Sequence, residues 1–305
     1  MNTQRKQQIL GSIFLSLAAA IWGGVYVVSK VVLEVIPPFT LLEIRFAIAL
    51  LVLGSIVIIQ KSYVPRHDLP SMMGIGFVGI TLSIGAQFLG TKFSSAHMGA
   101  LITSASPAFI VLFAVWMLRE RLQLFQLLGM ICATIGVIVV VGVPDHEAVS
   151  TSFLGNLILL VAAVTWALYT VMSKRATSIY SSVVVTTYAA LFGLIFTFPV
   201  MLWELSVTPV NWSFGWNIWA GIMYLGIVST AGAFYLWNKG FELMSAGSGA
   251  AFFFIQPIVG SFFGWLLLGE HLSLGFFFGA CLILGGVAVS NLRKTVDVPS
   301  KQTSH

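Results

Sequence analysis

The chain has 305 residues, of which 58% are hydrophobic and 8% are charged. A soluble globular domain carries about 25% charged residues, so this chain has too few to cover a surface exposed to water, and it must be solvated by lipid. The formal net charge of +5 comes from basic residues scattered in ones and twos between apolar runs. This scatter is more typical of orientation signals on membrane loops than of a phosphate-binding stripe, and it argues against nucleic acid as a partner.

Taken in chain order, apolar runs between short polar clusters predict ten membrane-spanning helices. Each run is long enough to cross ~30 Å of hydrocarbon at about 1.5 Å per residue, and a helix satisfies its own backbone where lipid offers no partner. The predicted fold class is an all-α integral membrane protein with ten transmembrane helices. The runs cover residues 9–29, 36–59, 71–91, 97–118, 124–142, 153–173, 180–203, 216–236, 247–268 and 273–292.

The first run has a second interpretation. Arg5-Lys6, followed by an apolar stretch that contains Ala18-Ala19-Ala20, is similar to a secretory signal with its cleavage site. The apolar run continues well past these alanines, and part of it recurs later in the chain. Both observations favour a helix of the mature protein.

The basic residues sort between the two sides of the membrane. If both termini share one side, that side receives twelve Lys and Arg, the other receives only Lys30 and Lys92, and Arg45 lies within the second span. Cytoplasmic loops are rich in Lys and Arg. The sequence therefore predicts a multi-pass protein of the inner or plasma membrane with both termini in the cytoplasm.

Two blocks of the sequence recur at fixed spacings. Five helices in each half would make the second copy enter the membrane from the opposite side, and inverted repeats are typical of secondary transporters. The predicted organisation is a first repeat at 1–143, an external linker at 144–152, a second repeat at 153–292 and a cytoplasmic tail at 293–305. Ala18-Ala19, Trp22 and Ser29-Lys30 correspond to Ala162-Ala163, Trp166 and Ser173-Lys174 at an offset of 144; Gly99-Ala100, Pro107, Glu120, Gly129 and Gly136 correspond to Gly249-Ala250, Pro257, Glu270, Gly279 and Gly286 at an offset of 150.

The second block also resembles a known family. The segments Ser106-Pro107-Ala108-Phe109 and Leu118-Arg119-Glu120-Arg121-Leu122, followed by Gly129 and Gly136, resemble the repeated signature of the EamA family of the drug/metabolite transporter (DMT) superfamily. A second copy begins at Gln256-Pro257. The resemblance covers Trp22 to about Asn291 and implies a five-plus-five helix architecture and solute export, without specifying the solute.

Glu43 and Arg45 stand out because charged side chains inside a span cost free energy and are functional candidates by default. Both lie about two turns into the second predicted span, and their i,i+2 spacing points them to different sides of the helix. Either one faces a cavity while the other pairs with a neighbouring helix, or both reach interfacial water. The resemblance implies a cavity or gate role for Arg45, because the family often carries an arginine here. Glu43 is less usual there and is a candidate for proton coupling.

Pro107 and Pro257 are repeat-equivalent and are predicted near the middle of the fourth and ninth spans. Proline lacks a backbone N–H and frees the carbonyl one turn earlier, so it kinks a helix. The neighbouring Ser104, Ser106 and Gln256 either satisfy the freed groups or contact a substrate. Because kinked helices near the midplane mark binding sites in transporters, the central site is predicted here.

Trp22 and Trp166 lie too deep in their predicted spans to be interfacial anchors. They are candidates for the wall of a substrate cavity, and ordinary helix packing explains them equally well. Tyr235 and Trp237 lie near a predicted span end, which favours a place in the aromatic belt at the membrane interface. Further candidates with a polar group are Gln87, Tyr169, Tyr188 and Asn238.

Glu120 and Glu270 follow the fourth and ninth predicted spans. They are expected to cap or tie short loops, and a gate salt bridge between Glu120 and a basic cytoplasmic residue is the alternative. Gly74, Gly76 and Gly79 have spacings that let helices approach closely, which predicts a packing role.

No constellation typical of an enzyme is present in the sequence. The His-Glu-x-x-His, Gly-x-Ser-x-Gly and phosphate-loop motifs are absent, and Cys132 and Cys281 lie in apolar stretches without metal-ligand spacing. No cofactor or metal is expected, and the lack of a nucleotide-binding segment argues against a primary pump.

The predicted function is a secondary transporter that exports a small metabolite, such as an amino acid or a related compound, by alternating access. A membrane sensor or lipid-modifying enzyme on the same bundle is the alternative. The expected partners are a small-molecule substrate and the lipid bilayer. Proton coupling and a homodimer are left open by the sequence.

Overall fold

The structure, a computed structural model, describes residues 3–93, 99, 102–141, 153–268 and 274–291. Throughout these ranges the chain is nearly all helical and contains no strand. The helices are α1 (Thr3–Val32), α2 (Pro38–Gln60), α3 (Leu69–Gly76, Phe77–Ile84 and Gly85–Phe93 in succession), α4 (Ser106–Leu118), α5 (Leu124–Val141), α6 (Phe153–Thr177), α7 (Ser182–Val207), α8 (Trp216–Met223, Tyr224–Gly232 and Ala233–Leu243), α9 (Ala246–Gly249, Ala250–Phe254 and Ile255–Leu268) and α10 (Leu274–Ser290).

Seven of the described helices are long and apolar enough to cross a membrane, namely α1, α2, α3, α6, α7, α8 and α9. The remaining three, α4, α5 and α10, are apolar but shorter in the part of the chain that the structure describes. The chain is therefore a multi-pass helical membrane protein. The predicted linker at 144–152, the predicted tail at 293–305, Glu270 and part of the predicted span 97–118 lie outside the described residues.

Local signals set several helix ends. Pro38 occupies the first turn of α2, where its missing N–H would have no intrahelical partner anyway. The same helix ends at Lys61, whose φ of 50° is left-handed, and Arg119 with a φ of 54° ends α4 in the same way. These breaks leave the short, polar connections that the sequence predicts.

Two helices contain a wider, π-helical turn that the apolar pattern does not reveal. The segments are Phe77–Ile84 in α3 and Tyr224–Gly232 in α8. In both, a glycine allows a large neighbour to approach: a Cβ on Gly79 would overlap the ring of Tyr169, and one on Gly226 would lie 2.7 Å from the Ile48 side chain. Segments of this kind are found frequently at functional sites.

Glycines bring α5 and α10 into backbone contact. A Cβ built on Gly136 would lie 2.7 Å from the Gly279 carbonyl oxygen, and one built on Gly279 would lie 2.6 Å from the Gly136 carbonyl oxygen. Gly129 and Gly286 face each other in the same manner. Only residues without a side chain permit this approach, so these four glycines determine how the two helices pack.

Polar contacts tie the connections at one end of the bundle, which we call the basic end. The Tyr180 hydroxyl donates to Asp68, and this hydrogen bond raises the pKa of Tyr180. The Ser182 hydroxyl donates to Glu242. The basic end carries Lys61, Arg66, Arg119, Lys174 and Lys239 in its connections and adjoining helix ends.

The other end of the bundle, which we call the opposite end, is held by Glu204 of α7. Its carboxylate accepts from the backbone N–H groups of Phe39 and Thr40, at 3.1 and 2.7 Å, and from the Thr40 hydroxyl at 2.9 Å. These N–H groups belong to the first turn of α2, which has no intrahelical acceptors for them. The contact therefore joins α2 to α7 while satisfying the helix start.

Candidate functional site

Arg45 of α2 reaches across to the π-helical segment of α8. Its Nε donates to Thr230 Oγ1 at 2.7 Å, and its Nη2 donates to Ser229 Oγ at 2.9 Å. The Thr230 hydroxyl in turn donates to the Leu225 carbonyl oxygen, five residues earlier, at 2.6 Å. Arg45 is 6% exposed, and no carboxylate in the described part of the chain forms an ion pair with it.

Such a placement is costly unless the charge has partners. A guanidinium at the centre of a membrane helix costs about 2.5–3.5 kcal/mol on insertion scales, and this is an upper bound for Arg45, which lies about two turns into α2. Hydrogen bonds to a charged group contribute about 1.5–3 kcal/mol each, so the two hydroxyl groups offset this cost without neutralising the charge. Arg45 remains a cation in a buried, polar corner between α2 and α8.

Glu43 faces another helix, α7. Its Oε1 lies 2.5 Å from Thr197 Oγ1, which is also 2.8 Å from the Gly193 carbonyl oxygen. A hydroxyl has one hydrogen and a carbonyl only accepts, so when that hydrogen points at Gly193 the carboxyl of Glu43 must supply the hydrogen of the shared contact. Glu43 and Arg45 thus have separate partners, as their i,i+2 spacing predicts.

Aromatic rings from α1, α6, α8 and α9 pack together beside Arg45. The Trp22 ring centroid lies 5.2 Å from those of Trp166 and Trp237 and 5.4 Å from that of Phe234. These separations and the edge-on or tilted angles are those that aromatic pairs prefer. We define the aromatic cluster as Trp22, Trp166, Tyr169, Phe234, Trp237 and Phe253.

Ser229 joins the aromatic cluster to Arg45. Its hydroxyl accepts from Arg45, while its carbonyl oxygen accepts from Trp22 Nε1 at 3.0 Å. The repeat mate of Trp22 behaves differently, because the buried Nε1 of Trp166 has no acceptor among the described residues. The structure therefore brings the predicted residues Arg45, Trp22 and Trp166 to one place and leaves one indole N–H without a partner there.

The prediction of an interfacial belt is wrong for Trp237. Its side chain is 0% exposed, belongs to the aromatic cluster and donates from Nε1 to Thr170 Oγ1 at 3.2 Å. Next to it, Asn238 Nδ2 donates to the Tyr169 hydroxyl at 3.2 Å and to Thr186 Oγ1 at 2.8 Å. This part of α8 is core, with a buried polar network beneath the rings.

The prolines differ from the prediction of kinks within continuous helices. Pro107 lies in the first turn of α4, after a turn at 104–105, and Pro257 is the third residue of Ile255–Leu268, after the 3₁₀ segment of α9. The Ser106 hydroxyl donates to the Thr103 carbonyl oxygen, one turn before Pro107, at 2.7 Å. The winding changes before each proline, and at Pro107 a neighbouring hydroxyl satisfies the carbonyl one turn earlier.

The other predicted polar residues are only partly drawn into this region. Ser104 is buried at the turn before α4, and Gln87 is half-buried in the last segment of α3. The backbone of Gln256 packs against α1, because a Cβ on Gly23, next to Trp22, would be 2.8 Å from the Gln256 carbonyl oxygen. The proline region of α9 is therefore in backbone contact with the helix segment that carries Trp22.

A second set of polar residues, around Glu120, connects helices at the basic end. Glu120 accepts from the backbone N–H groups of Ala246 and Gly247 at 3.0 and 3.2 Å. Lys174 Nζ lies 3.9 Å from Glu120 Oε1 and donates to the Met244 carbonyl oxygen. Glu120 thus caps the start of α9, as the sequence predicts, and also has a basic neighbour from α6. We call Glu120, Lys174 and the segment 244–247 the basic-end latch.

No group of three metal-ligating side chains occurs among the described residues. What the bundle does contain is a buried cation, a buried carboxyl and a ring cluster, placed on apolar helices that lipid can surround. The fold and this site define a helical membrane protein with a polar, aromatic interior, the class to which solute transporters belong.

The comparisons with known proteins give the family. The model of the EamA-like transporter family matches residues 9–142 and 153–292, so the chain belongs to that family. It is 27% identical to the uncharacterized transporter YetK of Bacillus subtilis over 95% of this chain and 89% of the relative. It is also 28% identical to a probable amino-acid metabolite efflux pump of Salmonella typhimurium, over 92% of this chain and 96% of that protein.

A solved crystal structure shares the fold. It matches with a TM-score of 0.77 at 23% sequence identity and covers 92% of this chain and 96% of that chain. The family and the relatives named as transporters indicate a transporter of the drug/metabolite type rather than an enzyme.

Proposed function

We propose that this protein is a secondary transporter with ten spans in two inverted five-helix repeats, which exports a small metabolite, such as an amino acid or a related compound, by alternating access. The observation that carries the proposal is the buried, unneutralised Arg45 beside the aromatic cluster, between helices of both halves. A buried cation without a counter-charge costs free energy that helix packing alone does not require.

Reciprocal contacts between α5 and α10 support the inverted repeat. Gly129 and Gly136 correspond to Gly279 and Gly286, since 279 − 129 and 286 − 136 both equal 150. Gly129 faces Gly286 and Gly136 faces Gly279, so equivalent residues exchange partners. That exchange is the pattern of contacts across a two-fold axis.

Helix packing elsewhere has the same reciprocity. The first helix of the first half, α1, lies against α8 and α9 of the second half. Its counterpart α6 lies against α3 and α4 of the first half. Two halves related by an axis in the membrane plane can exchange an outward-open and an inward-open arrangement around a central site.

The π-helical segments mark a further pair of repeat-equivalent positions. Phe77–Ile84 and Tyr224–Gly232 begin 147 residues apart, since 224 − 77 is 147. Around them the glycines recur at the same spacing: Gly74, Gly79 and Gly85 correspond to Gly221, Gly226 and Gly232. The shared irregularity supports α3 and α8 as counterparts, because chance similarity of apolar helices does not produce the same unusual winding twice.

Direction and orientation rest on the distribution of charge and on the relatives. The concentration of Lys and Arg at the basic end supports a cytoplasmic location of that end. Export is supported by the similarity to the probable efflux pump. Maleimide labelling of Ser62→Cys and Ser213→Cys variants in intact cells, on a background without Cys132 and Cys281, tests the orientation; an impermeant reagent should label only Ser213→Cys.

Proton coupling through Glu43 is supported by the hydrogen-bond arrangement at Thr197. When the Thr197 hydrogen points at the Gly193 carbonyl oxygen, a protonated Glu43 donates to Thr197. When Glu43 loses its proton, the Thr197 hydrogen must turn to Glu43 and release Gly193, so the two protonation states differ in their bonds to α7. Glu43→Gln keeps the shape of the side chain and replaces the carboxyl O–H with an amide N–H donor that does not ionise. The variant should therefore transport without any response to a pH gradient. A pH-gradient response equal to that of the unaltered protein would remove Glu43 from the coupling step. Glu204→Gln, at the opposite end, is the matched control.

Flux into proteoliposomes tests the proposed function as a whole. A broad panel of radiolabelled amino acids and organic acids is offered with and without a pH gradient, and empty vesicles give the background. The proposal expects flux of at least one solute above that background. No flux for any member would favour a membrane sensor or a lipid-modifying enzyme over a transporter.

A further inference from the structure

The guanidinium of Arg45 has one edge that is hydrogen-bonded and one edge, which we call the open edge, that has no acceptor among the described residues. Its Nε and Nη2 donate to Thr230 and Ser229, which are the donors of the side-on edge. A guanidinium has five N–H donors, so the end-on edge formed by Nη1 and the second hydrogen of Nη2 is left. No described residue accepts a hydrogen bond from Nη1. Two parallel N–H groups at such an edge match the two oxygens of a carboxylate.

The charges around Arg45 favour a bound solute that carries a single negative charge. Among the described side chains away from the helix ends, Arg45 is the one cation, because Lys174, Arg175 and Lys239 lie near the basic end. Glu43 does not neutralise Arg45, since it faces Thr197 of α7. A monoanionic carboxylate balances this charge, whereas a doubly charged phosphate ester would bury an excess negative charge.

The aromatic neighbours of Arg45 favour a solute whose remaining part, beyond the carboxylate, is apolar. Phe46 lies under the guanidinium, with 5.7 Å between Cζ and the ring centroid, and Phe46 contacts Phe234 of the aromatic cluster at 5.5 Å. Ser229, which accepts from Arg45, also accepts from Trp22 Nε1 through its carbonyl oxygen, and the Trp22 ring contacts that of Trp166. The aromatic surface therefore begins next to Arg45 and continues through Trp22 to Trp166, whose buried Nε1 has no acceptor among the described residues.

We propose that Arg45 binds the carboxylate of a small monoanionic solute through Nη1 and Nη2, and that the aromatic cluster contacts the apolar or aromatic remainder of that solute. This substrate class rests on the proposed transport function and deepens it. Ser229 and Thr230 are positioning residues, because they hold the side-on edge of Arg45 and so fix the direction of the open edge.

Binding of matched probes to the purified protein tests this inference. Phenylacetate carries a carboxylate and a ring, phenylacetamide replaces the charge with a neutral group of the same shape, and acetate lacks the ring. Calorimetry at neutral pH should show phenylacetate binding about 10- to 100-fold more tightly than either of the others. Equal binding of phenylacetate and phenylacetamide would overturn the proposal.

Variants of Arg45 assign the effect to this residue. Arg45→Gln should reduce phenylacetate binding to the level of phenylacetamide and leave phenylacetamide binding unchanged, whereas the exposed Arg175→Gln serves as the matched control. An equal loss for both probes, or no loss, contradicts the assignment. If Arg45→Gln does not fold, the comparison of probes on the unaltered protein still decides. Flux of other solutes without a preference for the carboxylate would sink this inference and leave the transport function standing.

Discussion

Arg45 Nε and Thr230 Oγ1 lie 2.7 Å apart, across 185 residues of chain, and this hydrogen bond joins the second helix of the first half to the π-helical segment of α8. The threonine hydroxyl has its own hydrogen directed to Leu225, so it is free to accept from Arg45. The wide turn and the buried cation therefore depend on each other. A substitution of Arg45 or of Thr230 should therefore disturb the conformation of the other residue.

Thr230→Val tests this dependence, because valine has nearly the shape of threonine but no hydroxyl. The substitution leaves Arg45 Nε without its acceptor, so we expect a loss of about 1.5–3 kcal/mol in stability. Thermal unfolding in detergent measures it. Thr165→Val is the control, because the Thr165 hydroxyl bonds only to carbonyls of its own helix. Equal melting temperatures for the two variants would show that the Arg45 contact contributes nothing.

The position of Arg45 could be predicted in part. A charge in an apolar run is visible in the sequence, and the i,i+2 spacing correctly separates it from Glu43. The partners could not be predicted, because Ser229 and Thr230 are far along the chain and lie in a π-helical segment that the hydrophobic pattern does not indicate. A prediction from the hydrophobic pattern alone treats each span as a regular α-helix.

The misplaced Trp237 has a physical explanation as well. The predicted span ends at residue 236, because Lys239 and Glu242 interrupt the apolar run. In the structure the helix continues through both residues to Leu243, and Lys239 Nζ lies 2.6 Å from Glu242 Oε1. A charge pair three residues apart on one helix face does not end a helix, and Trp237 consequently lies deeper than the apolar count suggests.

Glycine substitutions separate the contact of α5 and α10 from general helix propensity. Gly136→Ala places a Cβ 2.7 Å from a backbone oxygen of α10, which should separate the helices and cost about 1–3 kcal/mol. Gly285→Ala meets nothing within 4 Å and should be neutral or gain up to about 1 kcal/mol. Melting temperature and elution profile in detergent report both. A tolerated Gly136→Ala would mean that the close approach is not needed.

The basic-end latch should control access from that end. Lys174→Met keeps an unbranched, flexible side chain, although a shorter one, and removes the donors to the Phe241 and Met244 carbonyl oxygens. The start of α9 should then move more freely. Labelling of a Ser248→Cys reporter, on a background without the native cysteines, should become several times faster.

Lys239→Met provides the comparison for Lys174→Met, because it removes an ion pair at the same end that does not touch α9. The reporter at position 248 should react at its original rate in this variant. Equal acceleration by the two substitutions would point to general loosening of the basic end and against a latch. Unchanged labelling in Lys174→Met would rule out control by Lys174.

Trp22 and Trp166 offer a matched pair in which only one indole N–H is bonded. Trp22→Phe removes the donor to the Ser229 carbonyl oxygen, whereas Trp166→Phe removes a buried N–H that has no acceptor among the described residues. The change in ring size is the same at both positions. We therefore expect Trp22→Phe to lower stability by about 1–2 kcal/mol more than Trp166→Phe, measured by thermal unfolding in detergent.

Transport distinguishes a further role of the free N–H. If Trp166 Nε1 donates to a bound solute, Trp166→Phe should reduce flux while the melting temperature stays near that of the unaltered protein. Normal flux would assign Trp166 to packing alone. Equal destabilisation by the two substitutions would show that the bond from Trp22 to Ser229 contributes no more than its ring, and it would remove the link between Arg45 and the aromatic cluster.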